Sequence, residues 1–151
     1  MAQKRRFSQI LLFFAGISLI AAIDQFFKHK IRQNGGFFVC NKGISFNFPL
    51  PHATFWILLI FIIFVIGVCF YLYKKSAVSS HFLLSLVLIG GGTASNGLDR
   101  LFFGCVFDYV RFPLKYLPLF NLADVSIFLG TCFLLFALLF KNTSFGCTTC
   151  E

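Results

Sequence analysis

Four apolar runs, at 7–27, 54–73, 82–107 and 117–140, decide what this chain can become. Each is long enough to cross a bilayer as a helix, which takes roughly 20 residues. A water-soluble core cannot absorb them: 58% of the residues are hydrophobic and only 12% charged, against roughly 25% charged in an average soluble domain. The 24 phenylalanines exceed what a core of this chain length can hold, whereas lipid accepts apolar surface on every side of a helix. The expected fold is an all-α membrane protein, one integral membrane domain over residues 1–151. It has four transmembrane helices and a small extended, β-rich extracytoplasmic segment. The first run follows Lys4, Arg5 and Arg6, as a signal peptide would, but the later spans make a retained helix the simpler reading.

Helices that alternate direction bring the end of the first run, the end of the third and the start of the fourth to one membrane face. All four aspartates fall there: Asp24, Asp99, Asp108 and Asp124. The uncharged stretch after Asp124, residues 125–140, reaches only about 24 Å as a helix, short of a hydrocarbon core of about 30 Å. Asp124 therefore lies at or just below the interface, a depth at which ionisable groups are costly and functional by default. Lys and Arg barely distinguish the faces, six on one side and seven on the other. The basic cluster ahead of the first run favours cytoplasmic termini and aspartates facing outward. The net charge of +8 is spread in small groups beside apolar runs, which fits membrane flanks and no nucleic acid.

Within 90–110, "GGGTASNGLDRLFFGCVFDYV", a helix through Arg100 puts Asn96, Asp99 and Arg100 on one face at i, i+3 and i+4. The small residues ahead of them allow close helix packing, and "CVFDYV" reads as extended from its aromatic and β-branched content. Asn121 and Asp124 repeat the i, i+3 spacing, with Asn121 also suited to cap the helix. Asp24 and Lys28, at i and i+4, read as an intrahelical ion pair giving structural support. In "NKGISFNF", Gly43 permits a turn closed to larger residues. The cysteines inside apolar spans read as small packing residues, and the terminal "CTTC" is weak evidence for redox or metal work. His29, His52 and His81 have no ligand spacing and read as loop or interface residues. No metal or other cofactor is implied.

Two carboxyls held about 3 Å apart cannot both ionise, so Asp108 and Asp124 at one polar notch could hold one proton between them and activate a water. A proton- or ion-coupled small membrane transporter is the alternative, since intramembrane Asp and Arg also build relays. Against it, the carboxylates gather on one face instead of at several depths.

Taken together and in order, "DQFFK", "NKGISF", "GGGTASNGLDR" leading to "VFDYV", and "FNLADVSI" resemble the lipoprotein signal peptidases, signal peptidase II. The resemblance covers residues 24–127. It implies a four-helix inner-membrane aspartyl endopeptidase, its site open to the periplasm, cleaving prolipoproteins before a diacylglyceryl-modified cysteine. Membrane lipid and globomycin-type cyclic peptides are implied as further partners. By motif, Asp108 and Asp124 are the catalytic pair. Asn41, Gly43, Asn96, Arg100 and Asn121 hold substrate and orient the acids, while Asp24, Lys28 and Asp99 give support. Two departures stand out: residues 25–40 are shorter than the family's usual stretch, implying a reduced external cradle, and Tyr109 stands where Phe is commoner.

Overall fold

The computed structural model describes residues 2–43, 60, 63, 67, 80–113 and 118–139. The run at 54–73 lies outside them except for Ile60, Ile63 and Gly67, which are helical. His52, Cys69, Cys147 and Cys150 also lie outside them. The described chain is mostly helical with one small sheet, in the order α1 (Ala2–Gln33), β1 (Val39–Asn41), α2 (Ser80–Phe103), β2 (Val106–Asp108) and α3 (Leu122–Leu139). Among the described residues, one helix is long and apolar enough to cross a membrane, over Ile10–Gln33; the apolar helix over Leu122–Ala137 is shorter.

Helix α2 packs between α1 and α3, which scarcely touch each other. Small residues make this possible on both sides. A Cβ at Gly91 would come within 2.6 Å of Ile20 on α1, and one at Gly92 within 2.5 Å of the Ala123 carbonyl oxygen on α3. Neighbouring glycines thus admit different helices, the close approach that membrane helices use in place of large interlocking side chains. The Ala123 carbonyl is backbone and cannot swing aside, so Gly92→Ala must push α3 away. We expect a cost of about 1–3 kcal/mol, read as a lower thermal midpoint in detergent; an unchanged midpoint would mean the two helices are not in this contact.

Phe13, Phe82 and Leu86 form a buried apolar cluster, with Ile17, Val87 and Leu134 packed around it. Elsewhere α1 and α3 turn large apolar side chains outward, among them Leu11, Phe14, Phe128 and Phe136, as helices facing lipid do.

The third apolar run does not stay helical to residue 107. α2 stops at Phe103, where Gly104 takes φ 72° and donates its N–H to the Arg100 carbonyl at 3.1 Å. That left-handed turn is easy for glycine and costly for residues with a Cβ. The chain then leaves as β2, as the composition of "CVFDYV" predicts. β2 pairs antiparallel with β1 in the register Val39↔Asp108, Cys40↔Phe107 and Asn41↔Val106. An isolated bridge, Val110↔Phe120, continues the connection. It delays the last helix to Leu122, later than the start of the run at 117, and sets Asn121 beside the end of β2.

Candidate functional site

Asp108 closes β2 and Asp124 lies in the first turn of α3, so one acid rides on the small sheet and the other on a helix. Asn121 joins them. Its side-chain Nδ2 donates to Asp108 Oδ1 at 2.8 Å, while its backbone N–H donates to Asp124 Oδ2 at 3.1 Å. The Asp124 N–H donates back to Asn121 Oδ1 at 2.9 Å. This reciprocal exchange is a helix-capping arrangement, and it makes the cap residue a bridge between the carboxylates. Asn121 is fully buried.

Each acid has a second amide donor. Asn41 Nδ2 donates to Asp108 Oδ2 at 2.9 Å, and Asn96 Nδ2 donates to Asp124 Oδ1 at 2.8 Å. Asn41 is itself held by the Gly43 N–H, which donates to its Oδ1 at 2.9 Å, and Gly43 offers its carbonyl to Arg100 Nη2 at 2.7 Å. Asp108 is almost wholly buried. Burial pushes its carboxyl above the usual range and the charge of Asp124 adds to this, while the Asn41 and Asn121 amides and the more distant Lys28 pull it back. Burial likewise raises the Tyr109 phenol, to about 12, so it is neutral and can accept the Leu122 N–H at 3.4 Å.

Both acids border a cavity of about 390 Å³ together with Asn41, Asn96 and Arg100. Ile127, Phe128 and Leu119 give it an apolar wall. A polar floor with paired carboxyls and an apolar side suits a substrate that carries a peptide bond next to hydrocarbon.

Behind the cavity, Lys28 sits fully buried with all three ammonium donors used. They reach Asp24 Oδ2 at 2.6 Å, Asp99 Oδ2 at 2.7 Å and Asn96 Oδ1 at 2.9 Å. Asp24 also takes the Ser95 hydroxyl at 2.5 Å and the Ala123 N–H at 3.1 Å, so a carboxylate of α1 caps α3. Asp99 accepts from Gln25 Nε2 at 2.8 Å and the Phe107 N–H at 3.4 Å.

Of the residues singled out from sequence, Asn41, Asn96, Arg100, Asp108 and Asp124 converge on the cavity wall. Gly43 and Asn121 reach it through hydrogen bonds. Asp99 and Asn96 both meet Lys28, but Asp99 does not line the cavity: its carboxylate is buried against the ammonium, which needs a second counter-charge there. The i, i+4 ion pair of Asp24 and Lys28 forms as its spacing predicts, and it is part of a larger junction that also takes in Asp99 and Asn96.

Spacing alone does not mark Gln25 and Ser95 as site residues, though both stand within the motif segments. Nor does it mark the disulfide that joins Cys40 to Cys105 across 65 residues. Cys105 is buried as a bonded cysteine instead of a packing thiol, and Cys132, on an apolar helix, is free and exposed instead of packed. Among the described residues no group of three or more His, Cys, Asp or Glu could hold a metal ion.

Comparison with known proteins bears on this arrangement. The model of the signal peptidase (SPase) II family matches residues 16–140. A lipoprotein signal peptidase of Burkholderia vietnamiensis is 36% identical over 138 residues, covering 85% of this chain and 82% of the relative. Another, from Bartonella tribocorum, is 33% identical over 139 residues, covering 80% of this chain and 82% of the relative. A solved bacterial membrane enzyme shares the fold with a TM-score of 0.76 at 21% identity, over 94% of this chain and 96% of its own.

Proposed function

Since the chain belongs to the signal peptidase II family, a family of membrane proteases that process lipoproteins, we propose that it is an aspartyl endopeptidase with Asp108 and Asp124 as its catalytic pair. It removes the signal peptide of prolipoproteins by cutting before the diacylglyceryl-modified cysteine. The observation that carries this reading is the convergence of the two acids on one cavity, bridged by a single buried asparagine.

The pair holds one proton. The ionised carboxylate draws a proton from a water placed between the acids as that water attacks the scissile carbonyl, and the protonated partner donates to the developing oxyanion. Collapse of the tetrahedral intermediate returns a proton to the leaving amine, here the amino group of the lipidated cysteine. Asn41, Asn96 and Asn121 fix the outer lone pairs of the carboxylates, so the remaining ones face the cavity. Arg100 and the Gly43 turn form the edge where the substrate backbone lies, and the apolar wall of Ile127 and Phe128 receives the acyl chains. A globomycin-type cyclic peptide would occupy the same space.

In this reading residues 1–151 form one membrane domain with four spans, the run at 54–73 supplying the remaining helix. The chain lies in the bacterial inner membrane with cytoplasmic termini and the acids at the periplasmic side. The Cys40–Cys105 disulfide supports the same orientation as the basic cluster ahead of the first run, since disulfides persist in oxidising compartments.

The test is cleavage of a synthetic prolipoprotein peptide by the purified protein, with and without the diacylglyceryl group, followed by mass spectrometry. We expect one cut, N-terminal to the modified cysteine, and little or none on the unmodified peptide. Equal cleavage of both peptides would remove the lipid from the recognition scheme.

A further inference from the structure

Asn41 carries one of the two amide hydrogen bonds on Asp108, yet the strand that presents it is weakly held. β1 has three residues, and Val39 and Cys40 are exposed. A two-stranded ladder this short does not hold itself together in water. Between Gln33 and β1, residues 34–38 are exposed too, held at the surface by the contacts of Phe38 with Phe107 and of Phe37 with Arg111. The other end of the strand is tied by the Gly43 carbonyl to Arg100.

One covalent bond stands out against this. Cys40 precedes Asn41, and Cys105 precedes β2 in the short turn after α2, with Cα atoms 5.4 Å apart. The two halves differ in footing. Cys105 is 2% exposed and anchored at the end of a long helix, while Cys40 sits on the exposed strand. The bond therefore transmits the position of α2 to the residue next to Asn41. It also fixes a contact between residues 65 apart in sequence, where a free chain would lose most by closing the loop.

We propose that the Cys40–Cys105 disulfide is a positioning element of the catalytic site, a covalent tie that keeps Asn41 on Asp108 and makes full cleavage activity depend on the oxidised pair. The proposal rests on the assignment of Asp108 to catalysis given above. When the tie is cut, β1 frays and the Asn41 amide leaves Asp108 for part of the time. The carboxylate then loses a donor that favours its charged form, with Asn121, Asp124, Lys28 and Arg100 still around it. The rest of the substrate cavity, lined by α2, α3, β2 and residues 118–120, remains.

The experiment compares the purified full chain, oxidised and after treatment with a dithiol. The dithiol gives two electrons and two protons to the disulfide and leaves as a cyclic disulfide. Thiol counting by mass establishes the reduction. Cleavage of the diacylglyceryl peptide should then lose about tenfold in kcat, the scale of one weakened hydrogen bond to a carboxylate, with KM little changed. The limb of the pH profile that belongs to Asp108 should move to higher pH, and reoxidation should restore both. Cys40→Ala/Cys105→Ala should match the reduced protein and ignore the dithiol, which separates this pair from the other cysteines. Asn41→Ala should start low and lose nothing more on reduction, because both changes remove the same hydrogen bond.

Reduced protein with unchanged kcat and pH profile overturns the proposal. So does a multiplicative effect of reduction and Asn41→Ala, or a loss of rate that merely follows loss of folded protein in a parallel melting curve. If the oxidised wild type cuts no lipidated peptide at all, it is the peptidase reading that fails.

Discussion

We expect Asp108→Asn and Asp124→Asn each to remove most of the cleavage activity, by roughly 10²–10⁴-fold, the range spanned by a positioned general acid or base. The change is nearly isosteric, so cavity and helices stay in place, but an amide can neither take a proton from water nor share one with its neighbour. At Asp108 the new NH2 also faces an amide donor whichever way it turns, because both oxygens accept from asparagine, Asn121 on one side and Asn41 on the other. A modest loss of rigidity accompanies the loss of chemistry there. At Asp124 the same holds for the Asn96 amide and the Asn121 N–H. Single-turnover assays on the lipidated peptide, with a thermal melt of each variant, separate the effects. A folded variant that cleaves at the wild-type rate does not belong to the pair.

Lys28→Met should cost about 3–5 kcal/mol of stability, the penalty for breaking a buried ion pair from one side. The ammonium is fully buried between Asp24 and Asp99 and donates to Asn96 as well. Methionine fills a similar volume but leaves two buried carboxylates facing each other with no cation between them. The damage also reaches the site: Asn96 shows its oxygen to Lys28 and its NH2 to Asp124, so without the ammonium its amide is free to flip. Denaturation in mixed micelles measures the first effect and kcat the second. Neutralising all three positions together, Asp24→Asn, Lys28→Met and Asp99→Asn, should recover part of the stability, because no charge is then stranded. If Lys28→Met melts with the wild type, the junction contributes nothing to holding the helices.

The helical part of this site can be read from spacing because a helix turns local intervals into shared faces. Asn121 with Asp124, and Asn96 with Arg100, come together for that reason, and small residues mark where α2 meets its neighbours. Spacing fails where a partner is distant. Nothing local tells Asp99 that it will be buried on an ammonium instead of lining the cavity, since that partner is Lys28 on another helix, 71 residues earlier in the chain. Asn41 meets Asp108 across 67 residues through a ladder of three residue pairs, too short to leave an alternating pattern. The cysteines are silent for a similar reason, as six scattered residues allow many pairings and only the antiparallel register brings Cys40 to Cys105. Gln25 and Ser95 carry a readable signal, a polar side chain directly beside Asp24 in one motif and Asn96 in the other, but its target lies on the facing helix.

The capping of α3 by Asp24 ties the geometry of the acids to protein and not to the lipid around them. Helices in a bilayer that is too thin or too thick answer by tilting, and an active site assembled from independently floating spans would open or shear as they did. Here an amide in the first turn of α3 is bonded to a carboxylate of α1, so tilt must carry both together, and the protein can keep its acids in register across membranes of different thickness.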